Sequence, residues 1–158
     1  MPTIHLKTII NADIASCFNL ARSIDFHSVT TAKTKEKAIA GRLTGLIELG
    51  ETVTWQAIHF GIKQKLTSKI TAMGMPFHFR DEQVKGAFKM ICHDHYFQIN
   101  GKKTMMEDIF YFESPFGILG KIFNKIVLIS YMRKFLVDRN NMLKDYAERQ
   151  ANSSFKLS

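Results

Sequence analysis

Phe88-Lys89-Met90-Ile91-Cys92-His93-Asp94-His95-Tyr96-Phe97-Gln98-Ile99 and Lys102-Lys103-Thr104-Met105-Met106-Glu107-Asp108-Ile109-Phe110-Tyr111-Phe112 flank the dipeptide Asn100-Gly101. Aromatic and apolar residues recur through both runs, so each reads as a strand. Asn-Gly is the preferred centre of a two-residue type I′ turn. A turn centred there pairs Ile99 with Lys102 and sets the rest of the ladder. Phe97 then opposes Thr104, His95 opposes Met106, His93 opposes Asp108 and Ile91 opposes Phe110, all on one face. That places two histidines and a carboxylate on an otherwise apolar surface that also carries Phe112.

Working outward, the upstream sequence continues as strands. Phe77–Val84 places Phe77 and Phe79 in phase. In Lys65–Thr71, Leu66, Ser68 and Ile70 alternate with Lys65, Thr67, Lys69 and Thr71. In Glu51–Phe60, Val53, Trp55, Ala57 and His59 share one face. This period of two is the mark of a strand with one buried face. Ala38–Leu46 is a further candidate, and Gly41, Gly45 and Gly50 suit bulges and a turn. Thr30–Lys37 reads as a polar loop. Before it, Ser23–Val29 reads as a short helix. Another short helix carries Ile14, Cys17, Phe18 and Ala21 at helical spacing, with Asn11 or Asp13 as its N-cap. Thr3–Ile10 alternates as the first strand.

Downstream, Glu113-Ser114-Pro115-Phe116-Gly117 breaks the last strand. From Leu119 to Glu148 an apolar stripe through Leu119, Ile122, Phe123, Ile126, Leu128, Tyr131, Met132, Phe135, Leu136, Met142, Leu143 and Tyr146 predicts one long helix. At 25–30 residues such a helix spans about 40 Å. Residues 1–150 thus form one domain, and 151–158 a flexible polar tail. The class is α+β: a curved antiparallel sheet of about seven strands around a C-terminal helix, with two short helices after the first strand. One helix cannot touch a strongly curved sheet across its whole width, so a pocket is expected between them.

Bulk properties fit this reading. At 158 residues, a chain buries roughly 70% of its extended surface and needs no disulfide staple. Cys17 and Cys92 lack a CxxC spacing and read as buried reduced thiols of a cytoplasmic protein. The first ten residues lack the basic and long apolar segments of a secretory signal. The longest apolar run, Ile126–Ile129, is far too short to span a bilayer. Net charge is +8, but the basic residues are dispersed apart from Lys33–Lys37 and Arg133-Lys134. No nucleic-acid-binding motif accompanies them, so no nucleic-acid partner is expected.

The segments 53–61 (VTWQAIHFG), 66–71 (LTSKIT), 79–82 (FRDE), 86–88 (GAF), 93–97 (HDHYF), 104–108 (TMMED) and 114–117 (SPFG) carry a family resemblance. Together they resemble the START-like, or SRPBCC, superfamily, over Ile4 to about Glu148. The match is to a bacterial single-domain subgroup. The resemblance implies the helix-grip fold. It does not imply one activity, because the superfamily includes transporters, receptors, polyketide cyclase-like proteins and simple binders.

The sharpest polar constellation is His59, His93, His95 and Asp108. A His–Asp pair in an apolar pocket holds one tautomer and can serve as acid or base. It can equally orient a ligand hydroxyl or carbonyl, or simply satisfy its own buried polar atoms. His93, His95 and Asp108 also make a two-histidine, one-carboxylate set. The resemblance implies no metal, however, and no metal or cofactor is expected. Nucleophile and phosphate-loop motifs are absent. The apolar wall candidates are Trp55, Phe77, Phe79, Met106, Phe110 and Phe112, with Ala57 and Ser68 beside them. Ile126, Met132 and Phe135 are the helix-side candidates. Ser114–Gly120 is a candidate gate.

Three functions compete. The first is binding of a hydrophobic or amphipathic small molecule, lipid-like or polyketide-like, without chemistry. The second is a cyclase- or hydratase-like enzyme using His93, His95 and Asp108. The third is a module that docks on a protein or an anionic membrane surface.

Overall fold

The computed structural model describes residues 2–114 and 124–156. Seven strands form one antiparallel sheet in the order β1-β7-β6-β5-β4-β3-β2. They are β1 (Thr3–Ile10), β2 (Lys37–Gly41), β3 (Thr52–His59), β4 (Ile62–Gly74), β5 (His78–Lys85), β6 (Met90–Asn100) and β7 (Lys103–Glu113). Two short helices, α1 (Ile14–Ala21) and α2 (Ile24–Thr30), follow β1. A 3₁₀ turn covers Ala32–Thr34, and one π-helical turn, Asn124–Leu128, leads into the long helix α3 (Ile129–Lys156). Consecutive strands from β2 to β7 are neighbours, as expected of a meander, and β1 returns beside β7.

Local chemistry sets the helix starts. Of the two expected caps for α1, Asp13 is the one used: its carboxylate accepts from Ser16 N at 2.9 Å and from Ser16 Oγ at 2.6 Å. The Asn11 backbone N–H instead donates to Glu148 on α3, at 2.9 Å. Ser23 caps α2 by accepting from Phe26 N.

The core has two parts. In one, Phe18 of α1 meets Phe79 and Phe97 edge-on at 5.5 and 5.4 Å, with Ile10, Met106, Leu143 and Ala147 around them. The other joins Ile4, Ile91, Phe110 and Phe112 to Leu128 and Leu136 of the helical side. Burying each large side chain contributes about 1.5–3 kcal/mol. The sheet is therefore held to the helices at two separate places.

Several expectations need correction. The β6–β7 turn is centred on Gly101-Lys102, with Asn100 paired to Lys103. Every cross-strand partner therefore moves by two: Ile99 faces Thr104, Phe97 faces Met106, His95 faces Asp108, His93 faces Phe110 and Ile91 faces Phe112. Gly101 has φ +62°, whereas Asn100 and Lys102 are not left-handed. A single left-handed residue at the first central position is the type II′ requirement. A two-residue slip leaves every side chain on its face, so alternation cannot detect it. Tertiary contacts select it: Thr104 pairs with Ile10 of β1, and its hydroxyl donates to Ala12 O at 2.8 Å.

β2 ends at Gly41 rather than Leu46. Gly41 has φ +73°, and a Cβ there would lie 2.2 Å from Thr52 O, so the chain turns away at this point. α3 runs on to Lys156, through most of the stretch expected as a tail, because no Gly or Pro stops it. The segment 115–123, which holds most of the expected gate and the start of the expected helix, lies outside the described residues.

Candidate functional site

A cavity of about 460 Å³ lies between the sheet and α3. Most of its wall is apolar: Val53, Trp55 and Ala57 of β3, Leu66 and Ile70 of β4, Phe79 of β5, Ile91 of β6, Phe110 of β7, and Met132, Phe135 and Leu136 of α3. The period of two explains the strand contributions, since every second side chain faces inward. Phe60 and Ile62, at the β3–β4 turn, line the cavity and are more than half exposed. The cavity therefore opens beside them. His59 and Tyr131 bridge this mouth, with His59 Nδ1 2.7 Å from the Tyr131 hydroxyl. Burial holds His59 below the ordinary imidazole range.

The opposite, inner end is polar. Asp81 of β5 sits across from His93 of β6, and His95 of β6 sits across from Asp108 of β7. Each carboxylate hydrogen-bonds the histidine diagonal to it. His95 Nε2 lies 2.9 Å from Asp81 Oδ2, and His93 Nε2 lies 2.8 Å from Asp108 Oδ1. His95 Nδ1 is 3.1 Å from the same Asp108 oxygen but off the hydrogen-bond line. The two imidazoles are tilted against each other at 3.7 Å, and Phe79 stacks on His95 at 4.1 Å. α3 completes the cluster. Asn140 Nδ2 donates to Asp108 Oδ2 at 2.7 Å, and Arg139 Nη1 lies 3.8 Å from Asp108 Oδ1.

Environment separates the two histidines. Burial pushes His93 below the ordinary range, and its neighbour His95 adds to the effect. Burial also opposes charge on His95, but Asp108 and Asp81 together outweigh it and raise His95. Burial likewise works against both carboxylates, yet hydrogen bonds from the histidines hold Asp108 well below its usual range and Asp81 below it. The two carboxylates thus favour charge on His95, whereas burial and the neighbouring His95 disfavour it on His93.

The structure brings together Trp55, Ala57, His59, Ser68, Phe79, His93, His95, Phe110, Met132 and Phe135 on the cavity wall. Four other wall candidates are placed elsewhere. Phe77 precedes β5 and is 54% exposed. Met106 packs with Ile10 and Phe97, and Phe112 packs edge-on against Phe88. Asp108 is fully buried behind the histidines rather than on the wall. Ile126, expected to close the pocket from the helix, is 67% exposed, and Leu128 takes that place.

Asp81, Arg139 and Asn140 are the residues of this polar cluster that sequence reading missed. Asp81 is two residues from Phe79 and so shares its face, a signal within reach. Arg139 carried no comparable signal. For a metal, the donor set is Asp81, His93 and His95, whose ligand atoms lie within 4.8 Å of one another. Asp108 is behind this set rather than part of it.

No family model matches the chain, and no curated protein sequence does. Solved structures do. A START superfamily protein from Mycobacterium smegmatis superposes with a TM-score of 0.71 at 10% identity, over 94% of this chain and 98% of that one. TTHA0849 from Thermus thermophilus gives 0.70 at 16% identity, over 90% and 97%. Major latex-like protein 151 of Panax ginseng gives 0.66 at 15% identity, over 92% and 97%. The fold is that of the START-like, helix-grip class, as the sequence resemblance implied. At these identities the likeness concerns the fold.

Proposed function

We propose that this protein binds a hydrophobic or amphipathic small molecule, lipid-like or polyketide-like, in the cavity between the sheet and α3. One observation carries the reading: a cavity of about 460 Å³ with a mostly apolar wall, an open mouth and a polar inner end. Its size lies within the range of about 300–1,000 Å³ usual for small-molecule sites. The apolar wall takes the body of the ligand. The histidine–aspartate end orients a hydroxyl, carbonyl or other polar head.

Native mass spectrometry of protein purified from its own host tests this directly. The expected result is a co-purifying apolar molecule that dissociates on unfolding. Recovery of bare protein, with no displacement of an environment-sensitive dye by long-chain lipids, would sink it.

A second reading rests on the adjacent His93 and His95, each hydrogen-bonded to a carboxylate and shifted in opposite directions. An acid and a base side by side in a cavity suit a cyclase- or hydratase-like proton transfer. It requires turnover of an aromatic or polyketide-like substrate that is lost in His93→Gln while binding is retained.

A further inference from the structure

The geometry points to a divalent transition-metal site, for Zn²⁺ or Fe²⁺, formed by Asp81, His93 and His95 at the inner end of the cavity. This goes beyond ligand binding and stands without it.

The donors are of the right kind and converge. His95 Nε2 is 2.9 Å from Asp81 Oδ2, and His93 Nδ1 is 4.0 Å from the same oxygen. Ligand bonds of about 2.0–2.2 Å at tetrahedral or octahedral angles place donors about 3–3.5 Å apart. All three ligand atoms lie within 4.8 Å of one another, so side-chain adjustments of about an ångström close the set on an ion. Two imidazoles and one carboxylate, with the remaining positions open, suit Zn²⁺ or Fe²⁺ rather than Ca²⁺ or Mg²⁺, which prefer all-oxygen shells.

The second argument is independent of the donors. Metal-bound histidines almost always direct their other ring nitrogen at a carboxylate or carbonyl, which fixes the tautomer. Here Asp108 does this for His93, whose Nε2 hydrogen-bonds it at 2.8 Å; His95 Nδ1 lies 3.1 Å from the same oxygen but off the hydrogen-bond line. With His93 Nε2 protonated, the lone pair of its Nδ1 is left as a ligand, 4.0 Å from Asp81 Oδ2. Asp108 is itself anchored by Asn140 Nδ2 at 2.7 Å. Arg139 Nη1 lies 3.8 Å from Asp108 Oδ1, and its Nη2 donates to Ala21 O at 3.3 Å. The cluster lines the cavity, which supplies both a path for the ion and free coordination positions.

The full-length protein, stripped with a chelator and dialysed into metal-free buffer, tests this by calorimetric titration with Zn²⁺ and by absorption spectroscopy with Co²⁺. One equivalent is expected, with proton release and the visible bands of low-symmetry Co²⁺. Asp81→Asn and His93→Ala should abolish binding, and Asp108→Asn should weaken it about 10–100-fold. His5→Ala, on the surface, should leave it unchanged. Thermal melts confirm that each variant is folded. If the wild-type chain binds neither ion stoichiometrically, or if folded Asp81→Asn retains wild-type affinity, the assignment is overturned. A dye-displacement assay on the stripped protein reads the cavity separately, so failure of the metal site leaves the ligand reading intact.

Discussion

Asp108 shows how a single carboxylate organises its surroundings. It is fully buried, yet two histidines, Asn140 and Arg139 surround it. Removing one partner of such a buried ionic group leaves uncompensated charge, typically at a cost of about 3–5 kcal/mol. Asp108→Ala should therefore lower unfolding free energy by about that amount, as read from urea denaturation. A change below about 1 kcal/mol would mean that the histidines and Arg139 are satisfied by other groups. Cys17 makes a simpler case. Burial pushes its thiol up to about 11, so almost no thiolate exists near neutrality. It should react with a disulfide reagent at about pH 8 only as the protein unfolds, in step with the loss of circular dichroism.

At the scale of elements, caps and turns decide where strands and helices begin. Ser16 N and Oγ hydrogen-bond Asp13 and hold its carboxyl below the usual range. Asp13→Ala should cost about 1 kcal/mol at neutral pH. Because the folded value is depressed, this contribution is present above the unfolded carboxyl value of about 3.9 and is lost as pH falls through the folded one. The urea midpoints of wild type and variant should therefore converge in acid. The β6–β7 hairpin offers a test of register. Gly101 is left-handed and a Cβ there meets no neighbour, so Gly101→Ala adds only backbone strain, about 1–2 kcal/mol. Asn100→Ala should be nearly neutral, since Asn100 is extended. The opposite order of costs would restore the Asn-Gly turn.

Across the whole molecule, the cavity is the space left between the curved sheet and the long helix α3. Ala57 is a small side chain on its wall. Ala57→Phe should fill part of the space, abolish binding of an apolar dye and leave the melting temperature within a few degrees, because overpacking costs about 1–3 kcal/mol only where no room exists. At the mouth, burial keeps His59 neutral at about pH 7. A histidine depressed in the folded state contributes stability above about pH 6.5 that is lost as pH falls through its folded value. The stability difference between wild type and His59→Gln should shift against the wild type between about pH 7 and pH 5. An unchanged difference would place His59 in water.

Period-two alternation sorted the inward residues of β3 to β7, and the apolar stripe announced α3, because both follow from backbone geometry that any stretch of chain carries with it. Face is thus local information. Register and depth are not. Alternation leaves a two-residue slip invisible, and pairing with β1 and the hydrogen bond to Ala12 just after it placed Thr104 and, with it, every partner along β7. Whether an inward residue reaches the cavity depends on how far the helix stands from the sheet at that point. Met106 and Phe112 lie where the layers touch, whereas His93, His95 and Asp81 lie where they part. The histidines at the heart of Phe88–Phe112 were legible from the start. Asp108 was legible with them, but Asp81 of β5 and the diagonal pairing of each histidine became apparent only when the sheet was assembled.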